Sequence, residues 1–450
     1  MASTSEAARP VVFTTSTPYP LPSQKFMIPT TWKRYQLSQL INKALDLPKP
    51  IPFDFLIRGE LLRGSLGEWC AERDVGDEET LNIEYIESVM PPQKMSSLPH
   101  QDWVSSVSCK IPEHFITGSY DGSIRLFSYS QQLLQTSHLH EAPITSLSII
   151  PQTTSSTDDT TSYLVATASH DLTGLITRLF LSPESKPKTE SLASLHLHTS
   201  PLASISANSS GTHLLTSSWD SLIGLWDTSI PPSDEIPLEA DTTRSSKKRK
   251  LAKSGERPKR KAPLQVLKSH TGRVSKVIFG RGEERDEGNG YSCGYDSTVR
   301  VWDVESGMCT RTVSASEKPF LDLALMSSQT VLAASTDRTI TSYDLRAPTS
   351  SILTSSSSMI HPSVPSCITT PSSSPSINNH QFVSGAYDGV VRLWDLRSVK
   401  SPISGFKVNE GGKVLCVDWV VGGGGGGKGM VGIGGEGGVE VWQVGMDVSR

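Results

Sequence analysis

GYDSTVRVWD, at residues 294–303, decides the fold, because stretches of the same pattern recur along the chain. In each copy a serine or threonine lies four positions before an acidic residue, and an aromatic residue lies six positions after it. The other copies are GSYDGSIRLF at 118–127, SSWDSLIGLWD at 217–227 and GAYDGVVRLWD at 385–395. A pattern that returns every few tens of residues predicts a repeat architecture, in which each copy is one small structural unit.

A histidine opens each complete unit, and mostly apolar residues follow it at the fourth and seventh positions. These histidines are His100, His140, His198, His270 and His361. In the unit of His140 the acid is Asp171, and we expect a longer turn to displace the aromatic position to Phe180. Two degenerate units, around Asp337 and Glu436, bring the number of units to seven.

Short apolar runs on either side of each acid indicate β-strands, so each unit is predicted to be a sheet of four strands. A single small sheet cannot bury both of its faces, whereas sheets packed radially cover one another. The sequence therefore predicts an all-β propeller of seven blades over residues 92–446. We expect the strand at about 93–97 to pair with the last blade, which closes the ring and removes a free sheet edge.

The repeated stretches resemble the WD40 family. The resemblance implies a buried network of histidine, serine or threonine, aspartate and tryptophan, which satisfies polar groups that would otherwise cost about 1–3 kcal/mol each. Three units carry the full set: His198, Thr216, Asp220 and Trp226; His270, Ser292, Asp296 and Trp302; and His361, Ser384, Asp388 and Trp394. We interpret these residues as structural and not as catalytic His–Asp pairs.

Residues 11–87 lack the repeat. Apolar residues spaced by 3.6 positions between Leu37 and Leu45 predict a helix that ends before Pro48. With strands before and after this helix, the β-β-α-β-β order resembles ubiquitin-like folds. The predicted architecture is thus an N-terminal ubiquitin-like α+β domain followed by the propeller. Because no terminal Gly-Gly precedes the propeller, we expect a fixed binding module and not a conjugated modifier.

Three further stretches resemble the family of the WD-repeat subunit of the nucleolar Pescadillo complex: PFDFLIRGELLRGSL at 52–66, MPP at 90–92 and QDWVSSV at 101–107. The resemblance implies a non-enzymatic factor, without a cofactor, in large ribosomal subunit (60S) assembly and pre-rRNA maturation. Its expected partners are Pescadillo, a Bop-type WD40 protein, the pre-60S particle with its pre-rRNA, and the AAA+ ATPase Midasin, which removes it. Its expected location is the nucleolus and nucleoplasm.

Two other interpretations remain open at this point. The Notchless family shares the N-terminal (NLE-type) module but has a propeller with an extra blade, so seven units favour the Pescadillo-complex family. A WD40 substrate receptor or signalling scaffold, with the ubiquitin-like domain engaging degradation machinery, belongs to a different functional class.

The loop DVGDEET at 74–80 precedes the last predicted strand of the N-terminal domain. The resemblance implies that one acid here completes the coordination of a metal ion in the MIDAS domain of Midasin, since a hard divalent cation takes anionic oxygen ligands. Alignment through LNIEY assigns this role to Glu78, and a register slip of one residue would assign it to Asp77 or Glu79. Without the resemblance, we would interpret Asp77, Glu78 and Glu79 as solvated acids of a surface loop.

A strongly basic tract, RSSKKRKLAKSGERPKRK, occupies residues 244–261 and holds ten basic residues and one acid. We predict a basic, disordered insertion between the third and fourth blades over 228–264. Its two clusters resemble a bipartite nuclear-import signal: Lys247, Lys248, Arg249 and Lys250, then Lys259, Arg260 and Lys261. Direct contact with pre-ribosomal RNA, which would be electrostatic and salt-sensitive, is an alternative, as is a solvated linker.

Other patterns exclude several classes of site. The run GGGGGGKG at 422–429 nearly matches a phosphate-binding loop, but Gly429 stands where a serine or threonine must ligate Mg²⁺, and no helix is predicted to follow. The six cysteines are scattered without a C-x-x-C pair, so we expect free thiols and no zinc site. No apolar stretch approaches the roughly 18 residues of a membrane span, and no signal peptide is recognisable, so we expect a soluble intracellular protein.

Overall fold

In the computed structural model, one mixed sheet with two helices precedes a series of small, mainly antiparallel sheets. The structure describes residues 7–47, 49–76, 78–89, 91–151, 161–182, 186–236, 257–281, 288–314, 317–346, 355–371, 380–408, 412–421 and 428–445. Within this part of the chain, no helix is long and apolar enough to cross a membrane.

The N-terminal domain is a five-stranded sheet of order β2-β1-β5-β3-β4, in which β1 and β5 run parallel. Its elements are β1 (Ala8–Thr14), β2 (Lys25–Pro29), α1 (Arg34–Leu45), β3 (Phe53–Ile57), β4 (Glu60–Leu61), α2 (Leu66–Ala71) and β5 (Leu81–Glu87). The predicted helix is confirmed as α1, which ends where Asp46 turns left-handed. Leu37 and Ile41 of α1 are fully buried in one core with Phe55 and Tyr85.

Sheets one to three follow in chain order. Sheet one contains β7 (Val104–Ser108), β8 (His114–Ser119), β9 (Ser123–Ser128) and β10 (Leu133–His138). Sheet two contains β11 (Ile144–Ile150), β12 (Thr161–Ser169), β13 (Thr173–Leu181), β14 (Lys188–His196) and β18 (Lys259–Lys261). Sheet three contains β15 (Leu202–Ala207), β16 (His213–Ser218), β17 (Leu222–Asp227) and β19 (Gln265–Lys268).

Sheets four to seven complete the series. Sheet four contains β20 (Val274–Phe279), β21 (Asn289–Gly294), β22 (Val299–Asp303) and β23 (Met308–Val313), and sheet five contains β24 (Phe320–Ser327), β25 (Thr330–Ser335), β26 (Thr339–Asp344) and β27 (Ser355–Ile360). Sheet six contains β28 (Pro365–Thr369), β29 (Gln381–Ala386), β30 (Val390–Asp395) and β31 (Ser404–Lys407), and sheet seven contains β32 (Val414–Val421), β33 (Lys428–Gly435), β34 (Gly438–Gly445) and β6 (Gln93–Leu98).

The first strands of consecutive sheets contact one another in a closed series, since β32 of sheet seven also contacts β7 of sheet one. The sheets therefore form a β-propeller of the WD40 type around a central channel. The expected closing strand is confirmed as β6, which pairs antiparallel with β34 from Leu98 opposite Val439 to Gln93 opposite Gln443. A strand from the start of the propeller thus completes its last sheet, and the ring has no open edge there.

Hydrogen bonds between neighbouring sheets recur at equivalent positions of the first strands. A serine hydroxyl donates to the carbonyl that begins the next first strand in three places: Ser105 to Ile144 (2.5 Å), Ser275 to Phe320 (2.6 Å) and Ser366 to Val414 (2.6 Å). Between sheets seven and one, the Asp418 carboxylate accepts from the backbone N–H of Cys109 at 2.8 Å. These polar contacts join four of the neighbouring pairs of sheets, in addition to the apolar packing.

The N-terminal domain contacts sheet six through charged and polar groups. Arg397, just beyond β30, pairs with the fully buried Asp395 at 2.7 Å and also donates to the Ser16 hydroxyl at 2.6 Å. Its guanidinium is 3.8 Å from the carboxylate of Glu84 in β5. Arg63 donates to the carbonyl of Pro402 at 3.0 Å. The two parts of the molecule are therefore joined by more than the connecting chain.

The prediction of a disordered insertion between the third and fourth blades over 228–264 is wrong at both ends, and also in its position, because the segment connects β17 to β19 within sheet three. Residues 257–261 lead into and form β18, which pairs parallel with β14. Lys261 is 2% exposed, and its ammonium group pairs with Asp227 and donates to the carbonyl of Ser229. The backbone N–H of Arg260 donates to Asp234 at 2.9 Å. Acids before the tract thus hold its last cluster on the propeller, while residues 237–256 lie outside the described residues.

Candidate functional site

The loop of Glu78 is fixed at its base. Arg9 of β1 is buried, and its guanidinium donates to the carbonyls of Val75 (2.9 Å) and Gly76 (3.0 Å). The backbone N–H of Glu79 donates back to the carbonyl of Gly76 at 3.3 Å, which forms a turn. Glu78 lies within this turn and is exposed. The carboxylate is therefore carried on a short, anchored projection between α2 and β5.

The neighbouring acids differ from Glu78 in their surroundings. Glu79 forms an ion pair with Arg58 at 2.5 Å. Asp77 lies outside the described residues. Glu78 has no ion pair with any described residue, and an acid without a cation of its own remains available to a cation supplied by a partner.

The four-residue networks predicted for sheets three and four are complete. His198 Nδ1 lies 3.0 Å from Asp220, its Nε2 lies 2.9 Å from the Thr216 hydroxyl, and the Trp226 indole N–H donates to that hydroxyl at 2.9 Å. In sheet four, His270 lies 2.8 Å from Asp296 and 2.7 Å from Ser292, and Trp302 donates to Ser292 at 2.8 Å.

The acids of these networks are held in their charged form. Burial alone would raise the pKa of Asp220, but the hydrogen bonds from His198 and from nearby backbone N–H groups outweigh it and lower the pKa. The same balance, with His270 and Thr298 as donors, puts the pKa of Asp296 well below its usual range. The histidine and hydroxyl groups are buried, so no substrate reaches them. The geometry supports the interpretation of these residues as structural.

Sheet six carries the same residue types but forms a different network. His361 Nε2 lies 3.1 Å from Ser384, and Trp394 donates to Ser384 at 2.9 Å, as expected. However, His361 Nδ1 faces the Ser363 carbonyl at 2.8 Å, and Asp388 pairs with Arg392 at 2.6 Å. The expected contact between His361 and the Asp388 carboxylate is therefore not formed, and this part of the prediction is wrong.

Two neighbouring residues bear on this difference, although Asp121 of sheet one pairs with Arg125 in the same way without a proline after its histidine. In sheets three and four, the residue after the histidine donates its backbone N–H to the aspartate (Thr199 to Asp220 and Thr271 to Asp296, both 3.1 Å). Pro362 has no N–H to donate, and Arg392 offers a charged partner instead. Burial, and then the charge of Arg392, lower the pKa of His361 to about 4.

Sheet two departs from the expected aromatic position. His140 contacts Asp171 at 2.7 Å and Thr167 at 2.8 Å, as in the complete networks. In the complete networks, the tryptophan lies two residues beyond the residue that faces the threonine or serine on the neighbouring strand. Thr167 faces Leu175 in the pairing of β12 with β13, so Thr177 occupies the tryptophan position in sheet two. The expectation that a longer turn displaces this position to Phe180 is wrong, because the turn has the ordinary length and a threonine replaces the aromatic residue.

The glycine run and the cysteines carry no chemistry in the described part of the chain. Gly429 lies in β33, which pairs antiparallel with β32, so a strand and not a helix follows the run; residues 422–427 lie outside the described residues. Cys109, Cys293, Cys309, Cys367 and Cys416 are free thiols, as expected. Burial raises the pKa of Cys293 and of Cys367 to about 12, which keeps both thiols protonated and unreactive.

The central channel is a cavity of about 950 Å³ lined by the first strands of the sheets. Its wall includes Lys276, whose ammonium group is 3.4 Å from Asp322, and Asp322 also accepts from the backbone N–H of Ile368 at 2.8 Å. The charge of Asp322 raises the pKa of Lys276. Among the described residues, no group of three or more histidine, cysteine or acidic side chains could hold a metal ion.

Sequence reasoning missed an arc of aromatic residues on one face of the propeller. The aromatic arc is formed by the residues that directly precede the acidic turn residues of five sheets, together with Trp103: Tyr120, His170, Trp219, Tyr295 and Tyr387. Each of the five donates its backbone N–H to the loop that enters the same sheet, for example Trp219 to Pro201 (3.1 Å) and Tyr295 to Arg273 (2.8 Å). The signal was an aromatic residue before the repeated acid.

Comparison with known proteins gives two family matches and several relatives. The NLE (NUC135) domain matches residues 10–70, and the WD domain, G-beta repeat, matches residues 92–128, 189–227, 261–303 and 361–395. The chain is similar to "Ribosome biogenesis protein YTM1" of Laccaria bicolor, with 56% identity over 99% of both chains. The protein of that name in Coprinopsis cinerea is 57% identical over 99% of this chain and 96% of the relative. That of Saccharomyces cerevisiae is 34% identical over 82% of each.

Proposed function

This chain belongs to the family of the ribosome biogenesis protein YTM1, and from this premise we propose that it is a non-enzymatic assembly factor of the large ribosomal subunit. The observation that carries the proposal is the full-length similarity, because it covers both the NLE domain and the propeller. The buried networks support the absence of catalysis, since their histidine and aspartate residues are occupied in holding sheets together.

The propeller would act as the scaffold. We take the seven sheets whose first strands contact in a closed series as seven blades, which favours the Pescadillo-complex family over the Notchless family with its extra blade. Pescadillo, a Bop-type WD40 protein and the pre-60S particle would be its partners, and the basic tract would contact pre-rRNA. The place of action would be the nucleolus and nucleoplasm.

The N-terminal domain, which we take as ubiquitin-like, would be the handle for removal. Its exposed Glu78 would complete the metal coordination in the MIDAS domain of Midasin, and ATP-driven pulling would then release the factor. Two contacts support this role: Arg9 anchors the base of the loop, and Arg58 already engages Glu79. Of Glu78 and Glu79, Glu78 is thus the better placed for a metal ion held by a partner.

The test compares two single substitutions. Glu78→Ala should weaken binding of the purified protein to the Midasin MIDAS domain by more than about tenfold, or ~1.4 kcal/mol, in calorimetry with Mg²⁺. Glu79→Ala is the matched control and should change the affinity little, because Glu79 faces Arg58. Unchanged binding of Glu78→Ala, or a larger loss with Glu79→Ala, would refute the assignment.

The assembly role has its own readout. Depletion of the protein should lower the amount of 60S subunits relative to 40S subunits in a sucrose gradient, and the wild-type chain should restore it. Normal 60S levels after complete depletion would contradict the function itself, whatever the behaviour of Glu78.

A further inference from the structure

The connection that carries Glu78 leaves the core of the N-terminal domain at Val75. The Val75 side chain is 8% exposed and packs in that core, and its backbone N–H donates to the carbonyl of Cys70 at 3.1 Å. The packing ends at Gly76, where an added Cβ would meet no atom within 4 Å. Glycine has the greatest backbone freedom of all residues. The packing that fixes the chain up to Val75 therefore does not fix Gly76, which lies two residues before Glu78.

Arg9 holds the backbone on both sides of this glycine. It is 5% exposed, and its guanidinium donates to the carbonyl of Val75 at 2.9 Å and to that of Gly76 at 3.0 Å. These two carbonyls belong to the peptide groups that flank the Gly76 Cα atom, and the orientations of the two groups define its φ and ψ angles. One planar, charged donor thus fixes the two soft backbone angles that packing leaves free.

The register of the sheet brings Arg9 to this position. β1 runs parallel to β5 with Val11 opposite Leu81, so Arg9 lies just beyond the end of β5 at which the connection enters. Backbone pairing with β2 and β5 holds β1 in the sheet, and this pairing does not require the Arg9 side chain. The side chain of Arg9 therefore contributes to the shape of the connection and not to the pairing of its own strand.

The ion pair of Arg58 with Glu79 does not replace this anchor. The two side chains are 53% and 50% exposed, and ion pairs exposed to that extent contribute little. The backbone N–H of Glu79 donates to the Gly76 carbonyl, the same oxygen that Arg9 holds. The turn that contains Glu78 thus rests on a carbonyl whose direction Arg9 sets.

We propose that Arg9 is the positioning residue for Glu78: by fixing the backbone angles of Gly76, it directs the carboxylate toward a divalent cation held by a partner. Arg9 does not touch the cation itself. A ligand group that is held in its binding geometry before association loses less conformational freedom on binding, and this raises the affinity. The inference rests on the proposed role of Glu78 and adds the residue on which the direction of its carboxylate depends.

The test combines a loss with a rescue in the full chain. Arg9→Met keeps the length of the side chain but removes its donors, and it should weaken binding to the Mg²⁺-loaded MIDAS domain of Midasin about tenfold in calorimetry. In this background Gly76→Ala should restore the affinity about threefold, because alanine has less backbone freedom and Gly76 has room for a Cβ and no left-handed φ. A merely structural role of Arg9 would not give this rescue, since alanine supplies no donor.

Two further variants separate positioning from folding. Arg9→Lys keeps the buried charge and reaches one carbonyl, so it should weaken binding by a smaller factor; it carries the test if Arg9→Met does not fold. Arg34→Met is the matched control, since Arg34 donates to the carbonyl of Phe53 at 3.2 Å and to Ser88 at 2.7 Å, at the opposite end of β5. It should leave the affinity unchanged when all variants are compared well below their thermal midpoints.

A second readout follows the connection without Midasin. Cleavage by a glutamate-specific protease after Glu78 and Glu79, mapped by mass spectrometry, should be at least about threefold faster in Arg9→Met and slower again with Gly76→Ala, because a protease requires a segment that leaves its folded conformation. An unchanged affinity or cleavage rate in Arg9→Met, an equal loss in Arg34→Met, or no rescue by Gly76→Ala would each overturn the proposal. Loss of binding in Glu78→Ala but not in Arg9→Met is a failure of this inference alone, whereas wild-type binding of Glu78→Ala is a failure of the proposed function.

Discussion

At the residue scale, Ser292 shows how one hydroxyl satisfies two partners. His270 Nδ1 faces the Asp296 carboxylate, so Nδ1 carries the proton and Nε2 is free to accept a hydrogen bond from the Ser292 hydroxyl. The same oxygen accepts from the indole N–H of Trp302. Both contacts lie in the interior, where an unsatisfied group is expensive.

Ser292→Ala should therefore lower the free energy of unfolding by about 2–3 kcal/mol, because it leaves a buried acceptor on His270 and a buried donor on Trp302 without a partner. Urea unfolding followed by tryptophan fluorescence measures the change. The exposed Ser130 provides the control, since Ser130→Ala should stay within about 0.5 kcal/mol of wild type. A small effect of Ser292→Ala would mean that water or a neighbour can replace the hydroxyl.

His361 makes stability depend on pH. Its pKa is about 4 in the folded chain, below the ordinary 6.5, so the unfolded chain takes up a proton in this window that the folded chain does not. The free energy of unfolding should therefore fall as the pH drops from about 6.5 to 4, and His361→Gln should make this decline shallower. Thermal midpoints between pH 7 and pH 4 test the prediction; an identical slope in the variant would contradict it. The carboxylates with lowered pKa values add to the decline only toward its lower end, because their ordinary pKa values are 3.8 for aspartate and 4.5 for glutamate.

The residue types of the networks could be predicted from spacing, but not all of their contacts. The histidine, hydroxyl and tryptophan of sheet six meet as expected, whereas Asp388 pairs with Arg392, as Asp121 of sheet one pairs with Arg125. His361 and Arg392 compete for the Asp388 carboxylate, and the spacing of the motif does not indicate which of them pairs with it.

At the element scale, β18 shows that a run of basic residues can form a strand and need not be fully exposed to solvent. Strands such as β22 follow from the alternation of apolar residues, whereas β18 consists of Lys259, Arg260 and Lys261. It forms because Asp227, at the end of β17, supplies a partner for the buried Lys261. This ion pair connects residues that only the folded propeller brings together, so the sequence pattern could not reveal it.

The two basic clusters should consequently differ in function. We expect Ala replacement of Lys247, Lys248, Arg249 and Lys250 to shift a fluorescent fusion from the nucleus to the cytoplasm. Lys261→Gln should instead leave localisation unchanged and lower the thermal midpoint by a few degrees, because it removes the partner of Asp227. Nuclear fluorescence of the 247–250 alanine variant would contradict the import role of the first cluster. Cytoplasmic fluorescence of Lys261→Gln with an unchanged thermal midpoint would contradict the structural role of Lys261.

At the scale of the whole molecule, ring closure and domain contact differ in how far they could be predicted. The pairing of β6 with β34 follows from the need of a propeller to remove its last open edge, and it was expected. The contact of Arg397 with Ser16 and Glu84 was not, because nothing in either segment indicates which surface faces the other. The consequence is mechanical, since a pull on the N-terminal domain reaches sheet six directly.

Loosening this contact should free the N-terminal domain without unfolding either part. In a Ser16→Ala, Glu84→Gln double variant, Arg397 keeps its partner Asp395 but loses both contacts to the N-terminal domain. We expect the distance distribution between spin labels at the exposed Tyr35 and Met308 to broaden, with the thermal midpoint of the propeller unchanged. Glu72→Gln is the control, since Glu72 pairs with Arg73 inside its own domain. Equally narrow distributions in all three proteins would show that the remaining contacts, such as Arg63 with Pro402, suffice to fix the orientation.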